Sequence, residues 1–406
     1  MKPRPPLPAG PYLVVGLARS GIAAARALRA RGEEVIGLDS AAPAAAEALL
    51  GEGVDVFLDE IDGIGLLERA RAVVKSPGVP AQARVIAAAR ERGLPVLGEL
   101  ELAWRLLPNE FVAVTGTNGK TTTVELIGHI HREAGLPVAV AGNVGAAVSS
   151  LIGAVEERTT VVCEASSFQL EDTLAFAPEA AVLLNITPDH LDRHGTLEAY
   201  TEAKLQVFAR QGAEDVAVLP ADFDIALPGA ARRVEFGWDA SAALSERDGE
   251  LWWEDRALIA LAEMRLRGRH NVENAMAAAA VCLARGVDAA AVRAGLSSFR
   301  GVAHRLEEVA ELDGVLYVND SKATNVASTL VALDAFAGRP VHLILGGQGK
   351  GQDFTPLRDP LARGCAAVYL IGEHASTIAA ALANIAPPVS ECGKLERALA
   401  AARRAA

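Results

Sequence analysis

The sequence predicts an α/β protein of more than one domain, built on mainly parallel sheets. Three observations carry that expectation. A chain of 406 residues holds two to three domains at roughly 150 residues each. Short apolar runs alternate with helix-length segments along most of its length, the pattern of βα units. Glycine-rich turns stand where several of those runs give way to helices, the place where parallel folds bind ligands.

Taken in order, Tyr12–Val15 is an apolar strand. The turn Gly16-Leu-Ala-Arg-Ser-Gly21 follows it, then a helix through Arg31, then a strand from Glu34 that ends at Asp39. Strands at 72–74 and 95–97 continue the alternation, and a boundary is expected near Gly98, before a linking helix at 99–107. Phe111–Thr115 opens a second region with a strand, a glycine turn and a long helix. Further strands are expected at 160–164, 181–185 and 215–219, with short strands and turns over 232–253. Ala-rich helices are expected at 271–285 and 289–298. A third region starts near Arg300 with a hairpin, 307–312 and 315–319 about an Asp313-Gly314 turn, and returns to βα alternation at 341–345 and 367–371.

Composition excludes several classes. Half the residues are hydrophobic (51%), enough for sizeable cores and too many for a disordered chain. A formal charge of −12 removes nucleic acid as a main partner, because phosphate contacts need a basic surface. The four cysteines, Cys163, Cys282, Cys365 and Cys392, show neither zinc spacing nor a disulfide framework, which fits a reducing cytoplasm. The proline-rich start does not read as a signal peptide, and no apolar stretch is long enough to span a membrane. The expected protein is cytoplasmic and monomeric.

Chemistry concentrates at the strand ends. Thr115-Gly116-Thr117-Asn118-Gly119-Lys120-Thr121-Thr122 lies between a strand and a helix, where backbone N–H groups and the helix N-terminus cradle phosphates. Lys120 can reach the β/γ-phosphates and Thr121 can ligate Mg²⁺. Position 114 is Val where the commonest form of this loop has its first Gly. Glu164 ends the next strand. Alone it reads as a solvated acid; beside a phosphate loop it becomes a candidate for the metal. Asn185-Ile-Thr-Pro-Asp-His-Leu-Asp-Arg-His194 packs Asp189, His190, Asp192 and His194 together, groups that hold a cation or move protons. Lys204 follows on a helix expected over 196–210. Asn274 shares a helical face with Asn271, where capping is the plainer use. The third region adds His304-Arg305, Asn319-Asp320-Ser321-Lys322-Ala323-Thr324-Asn325 and the glycine loop 346–354 with Lys350. The first turn has Ala18 in place of the middle glycine of G-x-G-x-x-G, and Asp39 falls eighteen residues after Gly21, close to a ribose-binding spacing.

In this order, GTNGKTT, ESSFQ-like EASSFQ, NITPDHLDRH with a downstream lysine, RHNVEN, HR, NDSKATN and GGQGKGQDF resemble the Mur ligases, and the last two blocks resemble the branch that adds D-glutamate. The resemblance implies a Rossmann-like domain for the UDP-linked substrate (1–98), a central P-loop ATPase domain (99–299) and a Rossmann-like C-terminal domain for the amino acid (300–406). It implies ATP and Mg²⁺, and the substrates UDP-N-acetylmuramoyl-L-alanine and D-glutamate, joined through an acyl phosphate. By the same resemblance Gly116 through Thr122, with Asn274, Arg305 and Asp320, would hold the nucleotide. Thr121, Glu164, His190 and a carbamylated Lys204 would serve the metal sites. Arg19, Ser20, Asp39, Ser40 and Gly78 would line the uridine diphosphate, Asn143 and Ser166 the muramoyl-alanine, and Lys322, Thr324 and Lys350 the D-glutamate or acyl phosphate. Lys120, His190, Lys204, Lys322 and Lys350 are thus the catalytic candidates. Family members continue past a helix like Leu395–Arg403 with a further strand, so the third domain is expected to be incomplete.

Three other readings compete: a sister ligase of the folylpolyglutamate type, an NAD-dependent oxidoreductase resting on the first turn, and an inactive binding form. The lysines favour the ligase. Only seven of the 39 Lys and Arg residues are lysines, and Lys120, Lys204, Lys322 and Lys350 fall where the resemblance wants an amine. Lys2, Lys75 and Lys394 have no assigned role, and the last two are expected to be solvated.

Overall fold

A computed structural model describes residues 2–266, 268–347 and 352–406, and the counts below refer to these. The chain forms two compact units, Met1–Met264 with Glu273–Phe299, and Arg265–Val272 with Arg300–Ala406.

In the first unit, β1 (Tyr12–Val15), β2 (Val35–Leu38), β3 (Asp55–Phe57), β4 (Ala72–Lys75) and β5 (Val96–Gly98) form a wholly parallel sheet in the order β3-β2-β1-β4-β5. Strands β1, β2 and β4 are buried at every position, as expected of parallel strands covered on both faces. The strand order reverses between β1 and β4, so the turns after these strands flank the switch point where such sheets take ligands. Gly16 has φ +86°, and a Cβ on Gly21 would lie 1.8 Å from the Gly16 carbonyl oxygen, so the first turn accepts no side chain there.

The second sheet of this unit has nine strands: β6 (Phe111–Thr115), β7 (Val138–Gly142), β8 (Thr160–Glu164), β9 (Ala180–Leu183), β10 (Val216–Pro220), β11 (Arg232–Gly237), β12 (Leu244–Arg247), β13 (Glu250–Trp253) and β14 (Arg256–Ala260). Their order is β14-β13-β12-β11-β10-β9-β6-β8-β7, parallel from β7 to β12 and antiparallel at β13 and β14. Its core gathers Trp104, Phe111, Phe176, Val207 and Phe208. The expected helix over 196–210 stops at Leu205. Val207 and Phe208 are both fully buried, and a continued helix would turn these neighbours about 100° apart.

The second unit holds the hairpin β15 (Glu307–Leu312) and β16 (Val315–Asn319), and a parallel sheet β17-β18-β19 from Val341–Gly346, Cys365–Ile371 and Val389–Gly393. Among the described residues no helix is long and apolar enough to cross a membrane.

Candidate active site

The anion turn is built as its sequence demands. It joins β6 to the helix Lys120–Glu133, with Gly116 at φ +148° and Gly119 at φ +86°. A Cβ on Gly119 would lie 2.1 Å from Asn274 Oδ1, so only glycine lets that asparagine approach. The helix directs the positive end of its dipole at the turn.

Two amines meet on one carbonyl. Lys120 Nζ donates to Gly116 O at 2.8 Å and to Thr117 O at 2.9 Å. Lys204 Nζ donates to the same Gly116 oxygen at 2.8 Å and lies 4.4 Å from the Tyr200 ring centroid. Lys204 is 1% exposed. Burial first, and the nearby Lys120 charge second, lower its pKa from 10.5 to about 7.

Beside them, Thr121 Oγ1 donates to Glu164 Oε2 at 2.8 Å and Asn143 Nδ2 donates to Glu164 Oε1 at 3.0 Å. Glu164 is 2% exposed, so these bonds hold a carboxylate that water scarcely reaches. Hydroxyl and carboxylate oxygens in hydrogen-bond contact are the hard donors that Mg²⁺ takes. Among the described residues no three His, Cys, Asp or Glu side chains form a metal-holding group. The hard oxygens brought together here are those of Thr121 and Glu164.

The segment after β9 is sewn to the turn by residues that sequence reading had not singled out. Asn185 accepts Thr117 N–H on its backbone oxygen (3.0 Å) and Asn118 N–H on Oδ1 (2.9 Å). Thr117 Oγ1 donates to Thr187 O and accepts from Thr187 N–H and Tyr200 O–H. Asn185 was visible as the first residue of its block, but the acids and imidazoles after it drew the chemistry. His190 is half exposed, at φ +52°, with its ring 4.9 Å from Phe168 and 6.5 Å from Tyr200. The ring of His194 stacks on Phe168 at 5.3 Å and 8°. The Asp192 side chain lies outside what the structure describes.

Around the first sheet, Asp39 accepts Leu17 N–H (2.6 Å) and Ala41 N–H (2.9 Å), so its carboxylate braces the first turn. Arg19 donates to Gly145 O at 2.9 Å, Ser20 is half-buried, and Ser40 and Gly78 are exposed. Ser166 caps the helix Ser167–Leu170 in a capping box with Gln169, so its hydroxyl is engaged locally.

Lys75 corrects the sequence reading. Lys394 is exposed as expected, but Lys75 is 0% exposed. Its ammonium pairs with Asp172 Oδ2 at 2.7 Å and Glu171 Oε1 at 3.6 Å, and donates to Val79 O at 2.8 Å. The acids lie almost a hundred residues away, so nothing local announced them. Lys2 likewise donates to Ala177 O and pairs with Asp215.

In the second unit Asp320 follows β16 and accepts Leu306 N–H at 3.1 Å; burial raises its carboxyl pKa. Thr324 lines a cavity of about 320 Å³ with Asn325, Gly346, Gly347, Gln352 and Phe354. Lys322 is exposed, its backbone N–H bonded to His304 O. Lys350 lies outside the described residues.

The fold and this corner define a class: an α/β P-loop enzyme with a phosphate turn, a strand-end carboxylate and a buried amine. Three family models match the chain, the Mur ligase MurD-like N-terminal domain at 11–98, the Mur ligase middle domain at 114–282 and the Mur ligase glutamate ligase domain at 304–406. The chain belongs to the Mur ligase family. It is 44% identical, over 95% of its own length and 87% of the relative's, to UDP-N-acetylmuramoylalanine--D-glutamate ligase of Acidobacterium capsulatum. It is 42% identical, over 91% and 84%, to the protein of that name from Pelotomaculum thermopropionicum. Among solved structures, UDP-N-acetylmuramate-alanine ligase of Thermotoga maritima matches at TM-score 0.61 and 21% identity, over 95% of this chain and 91% of that one. MurF from Acinetobacter baumannii matches at 0.59 and 18%, over 93% and 84%. These last two likenesses bear on the fold.

Proposed function

We propose that this chain is the cytoplasmic ligase that adds D-glutamate to UDP-N-acetylmuramoyl-L-alanine, using ATP, in the synthesis of peptidoglycan precursor. The observation that carries the chemistry is the corner where Lys120 and Lys204 share the Gly116 oxygen beside the Thr121–Glu164 pair. The choice of amino acid is supported by the relatives, which bear that ligase's name at 40–44% identity over most of the chain.

In this reading the chain works as three domains, 1–98 for the UDP-linked substrate, 99–299 for ATP and 300–406 for the amino acid. A carboxylate oxygen of the substrate attacks the γ-phosphorus and ADP leaves. The D-glutamate amine then attacks the acyl carbon and loses a proton, and the tetrahedral adduct expels phosphate to leave the amide. The protein's task is to gather charge and geometry around phosphoryl transfer. Lys120 leaves its loop carbonyls for the β/γ-phosphates, cradled by Gly116 to Thr122. Mg²⁺ would neutralise phosphoryl charge, held by Thr121, Glu164, His190 and Lys204. Lys204, neutral above about 7, adds CO₂ through its amine, releases a proton and becomes an anionic carbamate. Asn274, Arg305 and Asp320 hold the nucleotide. Arg19, Ser20, Asp39, Ser40 and Gly78 take the uridine diphosphate, Asn143 and Ser166 the muramoyl-alanine. Lys322, Thr324 and Lys350 meet D-glutamate or the acyl phosphate.

The test is an amino-acid panel. With UDP-N-acetylmuramoyl-L-alanine, ATP and Mg²⁺, phosphate release should depend on D-glutamate, with L-glutamate, L-alanine and diaminopimelate inactive. Turnover with another amino acid and none with D-glutamate would move the chain to a sister ligase.

A further inference from the structure

Lys75 ends β4, and the turn Ser76–Val79 that follows it flanks the switch point of the first sheet. Its ammonium lies against three oxygens: it donates to Val79 O and pairs with Asp172 Oδ2 at 2.7 Å and Glu171 Oε1 at 3.6 Å. Two of these are shared. Arg193 Nη2 donates to the same Val79 oxygen at 3.1 Å and to the same Glu171 Oε1 at 3.0 Å. The Arg193 guanidinium lies 4.0 Å from the centroid of Phe168. Phe168 also stacks on His194 and meets the ring of His190 at 4.9 Å and 60°.

We propose that Lys75 is a positioning residue. It fixes Arg193 through the shared Val79 and Glu171 oxygens, Arg193 fixes Phe168, and Phe168 sets the ring of His190. The turn bearing Gly78 is thereby tied to the imidazole of the segment that braces the phosphate loop. A buried ammonium suits this joint because a compact point charge faces one carbonyl and two carboxylates at once, where a planar guanidinium would spread its charge over a fork. Because His190 acts in the ligase reading, the kinetic consequence rests on that reading.

The test uses Lys75→Met, Lys75→Arg and Phe168→Leu, with Lys394→Met as an exposed control. Phe168→Leu leaves the Lys75 ion pairs intact, so it reports even where Lys75→Met folds poorly. Below the melting temperature, Lys75→Met and Phe168→Leu should each lower kcat about tenfold with little change in KM for D-glutamate, and Lys75→Arg should restore only part. Their double variant should be no slower than the slower single, as expected of residues acting through one chain. Multiplying losses, or a kcat within about twofold of wild type in Phe168→Leu, would overturn the proposal. A second readout does not need activity: the His190 ring resonance, assigned with His190→Asn, should move in Phe168→Leu and in folded Lys75→Met but not in Lys394→Met. An unmoved resonance in Phe168→Leu contradicts the relay. A wild type that shows no D-glutamate-dependent turnover counts against the ligase reading instead, and the resonance then decides the relay alone.

Discussion

Lys204 and Lys120 place two amines on one carbonyl oxygen, and the consequence for Lys204 is a lowered pKa. Its folded value of about 7 lies below the 10.5 usual for lysine. Between those values the unfolded chain binds the extra proton, so this group makes stability rise with pH across that window, and Lys204→Met should flatten the rise in urea midpoints. Below about 7 the amine is protonated and cannot add CO₂. Activity should fall there, and added bicarbonate should recover part of it; a rate indifferent to bicarbonate on the acid side would remove the carbamate. Lys204→Ala should lose about a hundredfold or more in kcat, unrescued by bicarbonate. Lys120→Arg should fall by about a hundredfold, since a wide planar fork replaces a point charge in a tight loop. Steady-state phosphate release measures both. Lys120 and Lys204 were legible in the sequence because each stands inside a block with its own chemistry. Lys75 was not. Its partners Glu171 and Asp172 come from the turn after the short helix Ser167–Leu170, almost a hundred residues on, and a lysine at a strand end carries no mark of being buried.

At the scale of the element, the first turn decides whether the first sheet closes. In Gly21→Ala the added carbon would sit 1.8 Å from a backbone oxygen that cannot step aside. Such overpacking should cost about 3 kcal/mol, read as a lower urea midpoint, and should weaken binding of the UDP-linked substrate more than of ATP. Gly32→Ala is the control: a Cβ there meets nothing within 4 Å, so only the strain of its φ of +81° is felt. Elements announced by pattern were readable: the hairpin Glu307–Asn319 has its turn at Asp313-Gly314 as the spacing required. Strands β3, β7 and β19 were not. The first is three residues long and the third reads Val-Ser-Glu-Cys-Gly, so neither shows an apolar run, while the second, Val-Ala-Val-Ala-Gly, is an apolar but half-buried edge that was passed over. The helix ends at Leu205, short of the expected 210, and Val207 and Phe208 join the core beyond it; no breaker residue marks that stop.

Over the whole molecule, the candidate residues divide between two units, with the phosphate turn, Glu164, His190 and Lys204 in one and Asp320, Lys322 and Thr324 in the other. The order of the motifs along the chain made the family legible, and GTNGKTT, EASSFQ, NITPDHLDRH and NDSKATN each stand at the carboxyl end of a strand or just past it. The bracing of the phosphate turn by Asn185, Thr187 and Tyr200 was not legible, since it depends on β9 lying beside β6. In the proposed reaction the substrate carboxylate is activated by phosphorylation and captured by D-glutamate. Its most direct measurement follows oxygen-18 from the alanyl carboxylate of UDP-N-acetylmuramoyl-L-alanine during turnover with ATP, Mg²⁺ and D-glutamate. The account predicts one labelled oxygen in the released phosphate and one kept in the new amide, both only when D-glutamate is present. Unlabelled phosphate, or phosphate released at the same rate without D-glutamate, would contradict it.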